Sequence, residues 1–261
     1  MLIDSHCHLY DNAFADDRDQ MMDRAIGAGV ERFYLPAIDS SVTSAMLQLE
    51  VDYPGNCFAM MGLHPCSVGE NYREELQLAE DWLQRRSFAA IGETGLDFYW
   101  DKTFITQQVD AFTVQIGWAK QYRVPLVIHA RDSTPECIDL VSRYKDARLT
   151  GIFHCFGGSV EEAEAITRMG FYLGIGGIVT FKNSRLGDML KVVPLEHMVL
   201  ETDAPYLAPA PFRGKRNESS YLPLVAEKLA EIKGISPAEV TRVTTANAEK
   251  LFSPSTAADQ A

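Results

Sequence analysis

Short apolar segments rich in β-branched residues alternate along this chain with longer segments of helical periodicity. Eight candidate strands occur, and each is followed by at least one candidate helix. A strand that is followed by a helix and then by a further strand favours parallel pairing. Eight such units are typical of a closed barrel, so the pattern predicts the α/β class and a single (β/α)8 (TIM) barrel.

The predicted elements run almost to the end of the 261-residue chain. The expected strands are Leu2–His6, Arg32–Ala37, Phe58–Leu63, Ala89–Gly92, Leu126–His129, Gly151–His154, Tyr172–Ile175 and Met198–Glu201. The expected helices are Asp16–Ala28, Ser41–Asp52, Arg73–Arg86, Phe104–Tyr122, Thr134–Tyr144, Val160–Met169, Leu186–Val192, Leu222–Lys233 and Pro237–Leu251. No linker-like segment divides the chain, so we expect one barrel domain over residues 1–252 and a disordered tail over 253–261.

The composition excludes several classes of protein. With 24 Lys and Arg against 36 Asp and Glu, the net charge is −12, which argues against a protein that coats DNA. No uninterrupted apolar run reaches the roughly 18 residues of a membrane span, so no membrane association is expected. The five cysteines include no CxxC pair, and no secretory leader is visible, so a reduced, cytoplasmic protein is expected. Nothing in the sequence indicates an obligate protein partner.

Residues of the types that bind metals fall at the carboxyl ends of the predicted strands. Five of the six histidines lie there, and His197, at the start of the eighth strand, is the exception. In a (β/α)8 barrel the carboxyl ends of all strands meet at one face, where the active site lies. The pattern therefore predicts a metal site built from His6, His8, His64, Glu93, His129, His154 and Asp203.

The spacing of His6 and His8 favours this interpretation, because alternate strand residues point to the same face. By the same alternation Cys7 points away and is assigned to packing. Cys155 likewise has the opposite parity to His154. Imidazole and carboxylate ligands without thiolate suit zinc, manganese or magnesium. Around Glu93, Gly92 and Gly95 are expected to let the backbone pass close to a bound group while the carboxylate reaches inward.

The motifs at these positions resemble those of the TatD family of metal-dependent deoxyribonucleases, within the amidohydrolase-like barrel superfamily. The resemblance runs in the family's order over nearly the whole chain. The matching segments are IDSHCHL at 3–9, MGLHP at 61–65, IGETGLDFY at 91–99, PLVIHARD at 125–132, GIFHCFGGS at 151–159, LETDAPYLAP at 200–209, RGKRNESSYLP at 213–223 and NAEKLF at 247–252. Thr94 departs from the family, in which many members carry an apolar residue there.

The resemblance implies two divalent metal ions. One would be held by His6, His8, Glu93 and Asp203. The other would be held by Glu93, His129 and His154, so that Glu93 bridges the two. The resemblance also implies that His64 faces the site and contacts the phosphate of a substrate.

Two divalent ions suit the hydrolysis of a phosphodiester by activated water. We expect Asp203 to orient and deprotonate that water, and Glu93 to be essential. Glu201 shares the parity of Asp203, so it is expected to point inward as a hydrogen-bond or proton acceptor. The expected phosphate contacts are His64, Arg131 and the basic loop residues Arg213, Lys215 and Arg216. Neighbouring aromatic residues offer stacking surfaces for an unpaired base or pack in the loops, namely Phe98, Tyr99, Trp100, Tyr206 and Phe212.

The leading hypothesis is therefore a metal-dependent deoxyribonuclease of the exonuclease type that acts on single-stranded DNA ends. An alternative is a small-molecule amidohydrolase or phosphoesterase with the same two-metal site. Relatives that use a carboxylated lysine need Lys at the end of the fourth strand, where this chain has Glu93, and this favours the nuclease. A third alternative, a non-enzymatic metal-loaded scaffold, predicts an incomplete ligand set, whereas all the ligands are present.

Overall fold

Eight parallel strands form the centre of the fold in the computed structural model, which describes residues 1–253. The strands are β1 (Leu2–Asp4), β2 (Val30–Leu35), β3 (Cys57–Ala59), β4 (Ile91–Asp97), β5 (Leu126–Arg131), β6 (Gly151–Phe153), β7 (Tyr172–Ile175) and β8 (Met198–Leu200). The helices are α1 (Arg18–Gly27), α2 (Thr43–Asp52), α3 (Tyr72–Arg85), α4 (Ile105–Tyr122), α5 (Thr134–Tyr144), α6 (Val160–Arg168), α7 (Leu186–Val192), α8 (Leu222–Lys233) and α9 (Pro237–Phe252). The predicted tail begins at Ser253, and the rest of it lies outside the described residues.

Backbone hydrogen bonds join the strands into a ring. Strands β1–β3 form one ladder and β4–β8 a second. The ladders meet where Met61 bridges to Ile91, and the Met61 N–H donates to the Ala90 carbonyl at 3.1 Å. On the other side, the Ser5 N–H after β1 donates to the carbonyl of Leu200 in β8 at 3.0 Å. The predicted α/β class with eight parallel strands in barrel order is confirmed.

Strand β4 differs from its predicted bounds. It covers Ile91–Asp97, whereas the apolar run predicted a strand that ends at Gly92, so Glu93 lies within the strand and not after it. A Cβ on Gly95 would lie 2.0 Å from the carbonyl oxygen of His129, and Gly95 has φ +137°. Glycine is required at position 95 because β5 passes so close to it. This corrects the expectation that Gly95 makes room for a bound group.

The side chains that point into the barrel are apolar toward the amino ends of the strands and polar at the carboxyl ends, which form the barrel mouth. The inner cluster includes Val127 and Val199, and Leu251 of α9 packs against the same cluster. Two residues beyond Val127 comes His129, which therefore points into the barrel mouth. A larger cluster lies between the strands and the surrounding helices. In residues 1–253, no helix combines the length and the apolar character needed to cross a membrane.

Candidate metal centre

A cavity of about 720 Å³ opens at the carboxyl ends of the strands. It is lined by side chains from segments that are far apart in the sequence, and this is the expected location of an active site in a parallel barrel. Its polar lining includes His8, His64, Glu93, Asp97, His129, Arg131, His154, Asp203, Arg213 and Lys215. His6 lies beneath this lining and is fully buried.

The two carboxylate oxygens of Glu93 face different histidines. Oε2 lies 3.0 Å from Nε2 of His6 and 3.7 Å from Nε2 of His8. Oε1 lies 2.9 Å from Nδ1 of His129 and 3.8 Å from Nε2 of His154. One carboxylate therefore connects two groups of imidazole nitrogens on its opposite sides.

Asp203 adds a second carboxylate to the side that contains His6 and His8. Its Oδ1 lies 3.5 Å from Nε2 of His8 and 3.8 Å from Nε2 of His6. The residue has φ +59°, a left-handed conformation that non-glycine residues rarely adopt. Its N–H donates to the His6 carbonyl, and its own carbonyl accepts from the Tyr206 N–H. These bonds hold the carboxylate over the histidine pair.

The hydrogen bonds of Tyr10 determine which nitrogen of His8 is free. The Tyr10 hydroxyl donates its only proton to the Pro36 carbonyl, so at 2.9 Å it accepts from Nδ1–H of His8. Nε2 of His8 then carries a lone pair, and this is the nitrogen that faces Glu93 and Asp203. His8 is thus oriented as a metal ligand.

Carboxylates orient the two histidines on the other side in a similar way. Nε2 of His129 lies 2.8 Å from Oδ2 of Asp97, which leaves Nδ1 toward Glu93. Nδ1 of His154 lies 2.9 Å from Oε1 of buried Glu201, which leaves Nε2 toward the cavity. Such carboxylate–histidine pairs commonly support metal ligands from behind. The inward orientation expected of Glu201 is what the structure has.

In His64 the roles of the two ring nitrogens are the reverse of those in His8, because the nitrogen turned away from the cavity is the acceptor. Its Nδ1 accepts a hydrogen bond from the Cys66 N–H at 3.0 Å, so the neutral ring carries its proton on Nε2. That nitrogen faces the cavity, 3.4 Å from Oε1 of Glu93. Burial lowers the pKa of His64, which favours the neutral ring. His64 is therefore set up as a hydrogen-bond donor to a bound group.

The electrostatics of the site keep its carboxylates ionised. Burial alone would raise the pKa of Glu93, but the adjacent imidazoles, His6 foremost, lower it well below its ordinary value. Burial opposes ionisation of Asp203 in the same way, and the neighbouring His154 and His8 lower its pKa. Burial lowers the pKa of His6, which favours its neutral, metal-binding form. Burial is outweighed at the other two histidines: Asp97 and Glu93 raise the pKa of His129, and Glu201 and Glu93 raise that of His154 to about 10, so a bound cation would replace a proton there.

These donors fit divalent cations. Ligand atoms lie within 4.8 Å of one another in the groups His6–His8–Asp203 and His6–Glu93–His154, and also in His64–Glu93–His129. Both nitrogens of His6 are buried and have no hydrogen-bond partner among the described residues, although Nε2 points toward Glu93. Buried polar atoms without partners are rare in proteins, and a cation bound there would satisfy Nε2.

The two cysteines beside the histidines occupy different surroundings. Cys7 is fully buried in the core, as expected of a packing residue. Cys155, expected from its parity to point away from His154, instead has its Sγ close to His154 and Glu201, because β6 ends at Phe153 and Cys155 has a φ of +47° that interrupts the alternation. Burial raises the pKa of Cys155 well above its ordinary value, so the group is a thiol at neutral pH.

Three of the four predicted basic contacts lie at the cavity. Arg131, Arg213 and Lys215 line it. Arg216 does not, because its guanidinium donates to the carboxylate of Asp17 at 2.6 and 2.8 Å and to the carbonyl of Ala13. The structure therefore gives Arg216 a role in joining two loops, in place of the predicted phosphate contact.

The predicted stacking residues differ in their environments. Tyr99 and Trp100 are exposed, and the guanidinium of Arg131 lies 4.0 Å from the centre of the Tyr99 ring. Tyr206 is also exposed at the cavity. Phe212 stacks on Tyr221 at 4.1 Å, and Phe98 packs against the core.

Three residues that support the site, Asp97, Tyr10 and Asp4, are not among those that the sequence motifs indicated. Asp97 and Tyr10 support histidines, as described above. Asp4 is buried and accepts hydrogen bonds from the hydroxyls of Thr202 and Ser219, so it connects β1 to the segment that contains Asp203. Asp97 had a visible signal, because it lies within the IGETGLDFY segment with the same parity as Glu93.

Comparison with known proteins agrees with this geometry. Residues 3–253 match the family model described as TatD related DNase. The chain is 37% identical to the metal-dependent hydrolase YabD of Bacillus subtilis, with 97% of this chain and 99% of that protein covered. It is 31% identical to the 3'-5' ssDNA/RNA exonuclease TatD of Erwinia billingiae, with coverage of 96% and 98%.

A solved structure shows the same fold. The crystal structure of YJJV, a TatD homologue from Escherichia coli K12, superposes with a TM-score of 0.91 at 29% identity, covering 97% of this chain and 98% of that one. The family match spans nearly all of the described chain and includes every histidine and carboxylate of the cavity. This protein belongs to the TatD-related DNase family of metal-dependent hydrolases.

Proposed function

We propose that the protein is a divalent-metal-dependent exonuclease that hydrolyses phosphodiester bonds at the ends of single-stranded DNA. The observation that carries this proposal is the division of the Glu93 oxygens between two groups of histidines. His6, His8, Glu93 and Asp203 would hold one ion, and Glu93, His129 and His154 the other. Bound zinc, manganese or magnesium ions would activate water and neutralise charge on the phosphoryl oxygens.

Asp203 is the residue that we assign to the attacking water. Its carboxylate is ionised at neutral pH and lies at the inner wall of the cavity, so it can accept a hydrogen bond from water and then take its proton. The backbone hydrogen bonds of Asp203 fix the position from which its carboxylate would hold that water.

His64 and three cations are assigned to the substrate phosphate. His64 offers Nε2–H from the cavity wall, and its tautomer is fixed by the Cys66 N–H. Arg131, Arg213 and Lys215 add positive charge around the same opening. Contacts of this kind bind phosphate whatever the base sequence, which is what an exonuclease requires.

Two observations favour a single strand. Tyr99, Trp100 and Tyr206 are exposed beside the cavity and offer faces on which an unpaired base can stack. The relatives from Erwinia billingiae and Salmonella typhimurium carry the name 3'-5' ssDNA/RNA exonuclease.

We also propose a cytoplasmic location. It is supported by the five cysteines, all of which are free thiols, the state that a reducing compartment maintains.

The test is hydrolysis of end-labelled single-stranded and duplex DNA with each metal in turn, with and without a chelator. Glu93→Gln is the informative variant, and Glu161→Gln on the exposed face of α6 is its control. We expect stepwise shortening of the single strand that chelator and Glu93→Gln both abolish. Cleavage that survives in Glu93→Gln contradicts the assignment. Turnover of a small phosphoester or amide without any cleavage of DNA would instead support the small-molecule hydrolase.

A further inference from the structure

A second cavity of about 660 Å³ adjoins the metal centre. We call it the strand groove, and it is lined by Gly157, Ile178, Thr180, Phe181, Lys182, Asn183, Ser184, Arg185, Leu186, Ala210 and Arg213. Phe181 and Arg213 line both cavities, so the strand groove continues directly from the opening in which the substrate phosphate is proposed to bind.

The strand groove carries positive charge that the protein itself does not neutralise. Lys182, Arg185 and Arg213 are exposed, and within residues 1–253 no carboxylate lies within 4.0 Å of their cationic nitrogens. Nearby Lys191, on α7, is by contrast paired with Asp188. In a chain with net charge −12, unpaired cations gathered on one surface indicate a site for anions.

Side-chain contacts hold Arg213 and the adjoining loops in place where the two cavities meet. The guanidinium carbon of Arg213 lies 3.5 Å from the centre of the Phe181 ring. A guanidinium stacked by its face keeps its N–H groups, which lie in its plane, free for phosphate oxygens. Thr180 holds the adjoining loops together, because its hydroxyl donates to the Gly177 carbonyl and accepts from the Ala210 N–H.

We propose that the strand groove binds the phosphodiester backbone of the nucleotides next to the scissile bond in a single-stranded polynucleotide. Lys182 and Arg185 contact successive phosphates, and Arg213 holds the phosphate at the junction. This inference rests on the proposed nuclease function and extends it. The preferred substrate is then an oligonucleotide of several residues, since a dinucleotide does not reach the cations of the strand groove.

The test compares the wild type with the double variant Lys182→Ala/Arg185→Ala. The matched control is Lys191→Ala, which removes a paired cation from the same region. The measurement is kcat/KM for oligothymidylates of increasing length, each divided by kcat/KM for the dinucleotide. We expect this ratio to rise with length in the wild type and the control. In the double variant the rise is about tenfold smaller, since two phosphate contacts are lost.

A binding measurement separates this inference from the nuclease function. With chelator present, fluorescence anisotropy gives the affinity for a labelled oligothymidylate at several salt concentrations. The double variant should bind more weakly, and its slope of log affinity against log salt should be smaller by about 1.4, or 0.7 for each lost phosphate contact. Lys182→Glu, which reverses one charge, should weaken binding further than Lys182→Ala.

Equal affinity and equal length dependence in the wild type and the double variant would overturn the inference, as would absence of binding by the wild type. If the wild type binds the oligonucleotide through Lys182 and Arg185 yet cleaves no nucleic acid with any metal, the proposed function fails and the strand groove stands. Circular dichroism confirms that each variant is folded.

Discussion

Oδ2 of Asp97 lies 2.8 Å from Nε2 of His129, whose other ring nitrogen lies 2.9 Å from Glu93. Asp97 therefore orients the imidazole through its far side, without facing the two groups of ligands itself. The Tyr99 and Trp100 N–H groups both donate to its Oδ1, which keeps the carboxylate in position. The ligand geometry at His129 thus depends on a carboxylate that contacts the far side of its imidazole.

Replacement of Asp97 by Asn tests this dependence. Asn can still accept the backbone hydrogen bonds but loses the charge that holds the imidazole, so we expect metal affinity to fall by about 10- to 100-fold. Calorimetric titration of the metal-free protein measures it. Asp101→Asn, on the exposed part of the same loop, serves as the control and should titrate like the wild type. Equal affinity in Asp97→Asn would show that His129 needs no such support.

His64 and His129 should differ in what their loss removes. His64→Gln deletes a donor to the substrate but no metal ligand, so kcat/KM should fall by about 10²-fold while the metal content is retained. His129→Ala should lower the metal content itself. Elemental analysis after dialysis, combined with DNA hydrolysis, separates the two results. Loss of metal from His64→Gln would mean that His64 is a ligand.

Arg216 and Arg213 lie in one loop, but we expect the first to affect stability and the second to affect substrate binding. Arg216→Ala breaks the pair with Asp17 and should lower the unfolding temperature, while Arg213→Ala should mainly raise KM for single-stranded DNA. Hydrogen bonds from Arg216 and Arg24 lower the pKa of Asp17 in the folded state, so this stabilisation is present above the unfolded pKa of about 4. It is lost as Asp17 becomes protonated at lower pH.

The difference in unfolding temperature between wild type and Arg216→Ala should accordingly shrink as the pH falls below about 4. Melts across this pH range measure it. A difference that stays constant there would mean that Arg216 stabilises the loop through contacts that do not titrate, namely the Ala13 carbonyl and the Phe14 ring, 4.6 Å away, and not through Asp17.

Gly95 should tolerate no side chain. In Gly95→Ala the new Cβ meets the His129 carbonyl in a backbone conformation unsuited to alanine, so we expect a loss of more than about 3 kcal/mol in the free energy of unfolding. Gly117→Ala is the control, because it lies within α4 with open space around its Cβ, and should be stabilising by about 0.5–1 kcal/mol. Urea denaturation measures both. A mild effect at Gly95 would show that β4 can move away from β5.

Much of the site follows from the sequence because of one property of parallel barrels. The carboxyl ends of all strands meet at one face, so histidines and acids that close apolar runs come together although nearly 200 residues separate His8 from Asp203. The bounds of β4 were not predictable in this way. Its polar and glycine residues break the apolar run, and only the pairing with β5 shows that Ile91–Asp97 is a strand.

Side-chain partners that lie far apart in the chain were also beyond prediction. Arg216 belongs to the most basic segment of the sequence and follows β8, and both facts suggested a phosphate contact. Its partner Asp17 lies at the start of α1, about 200 residues earlier, and nothing in either segment indicates the pairing. The supporting bond from Tyr10 to His8 depends likewise on the position of the Pro36 carbonyl in the fold.

The junction between β1 and β8 has a consequence for the synthesis of this protein. His6 and His8 are translated nearly 200 residues before Asp203, and Ser219, which bonds to Asp4, follows later still. Until then the ring of strands is open and one carboxylate ligand is missing. A growing chain therefore carries an incomplete metal centre until β8 and the segment that follows it have been translated.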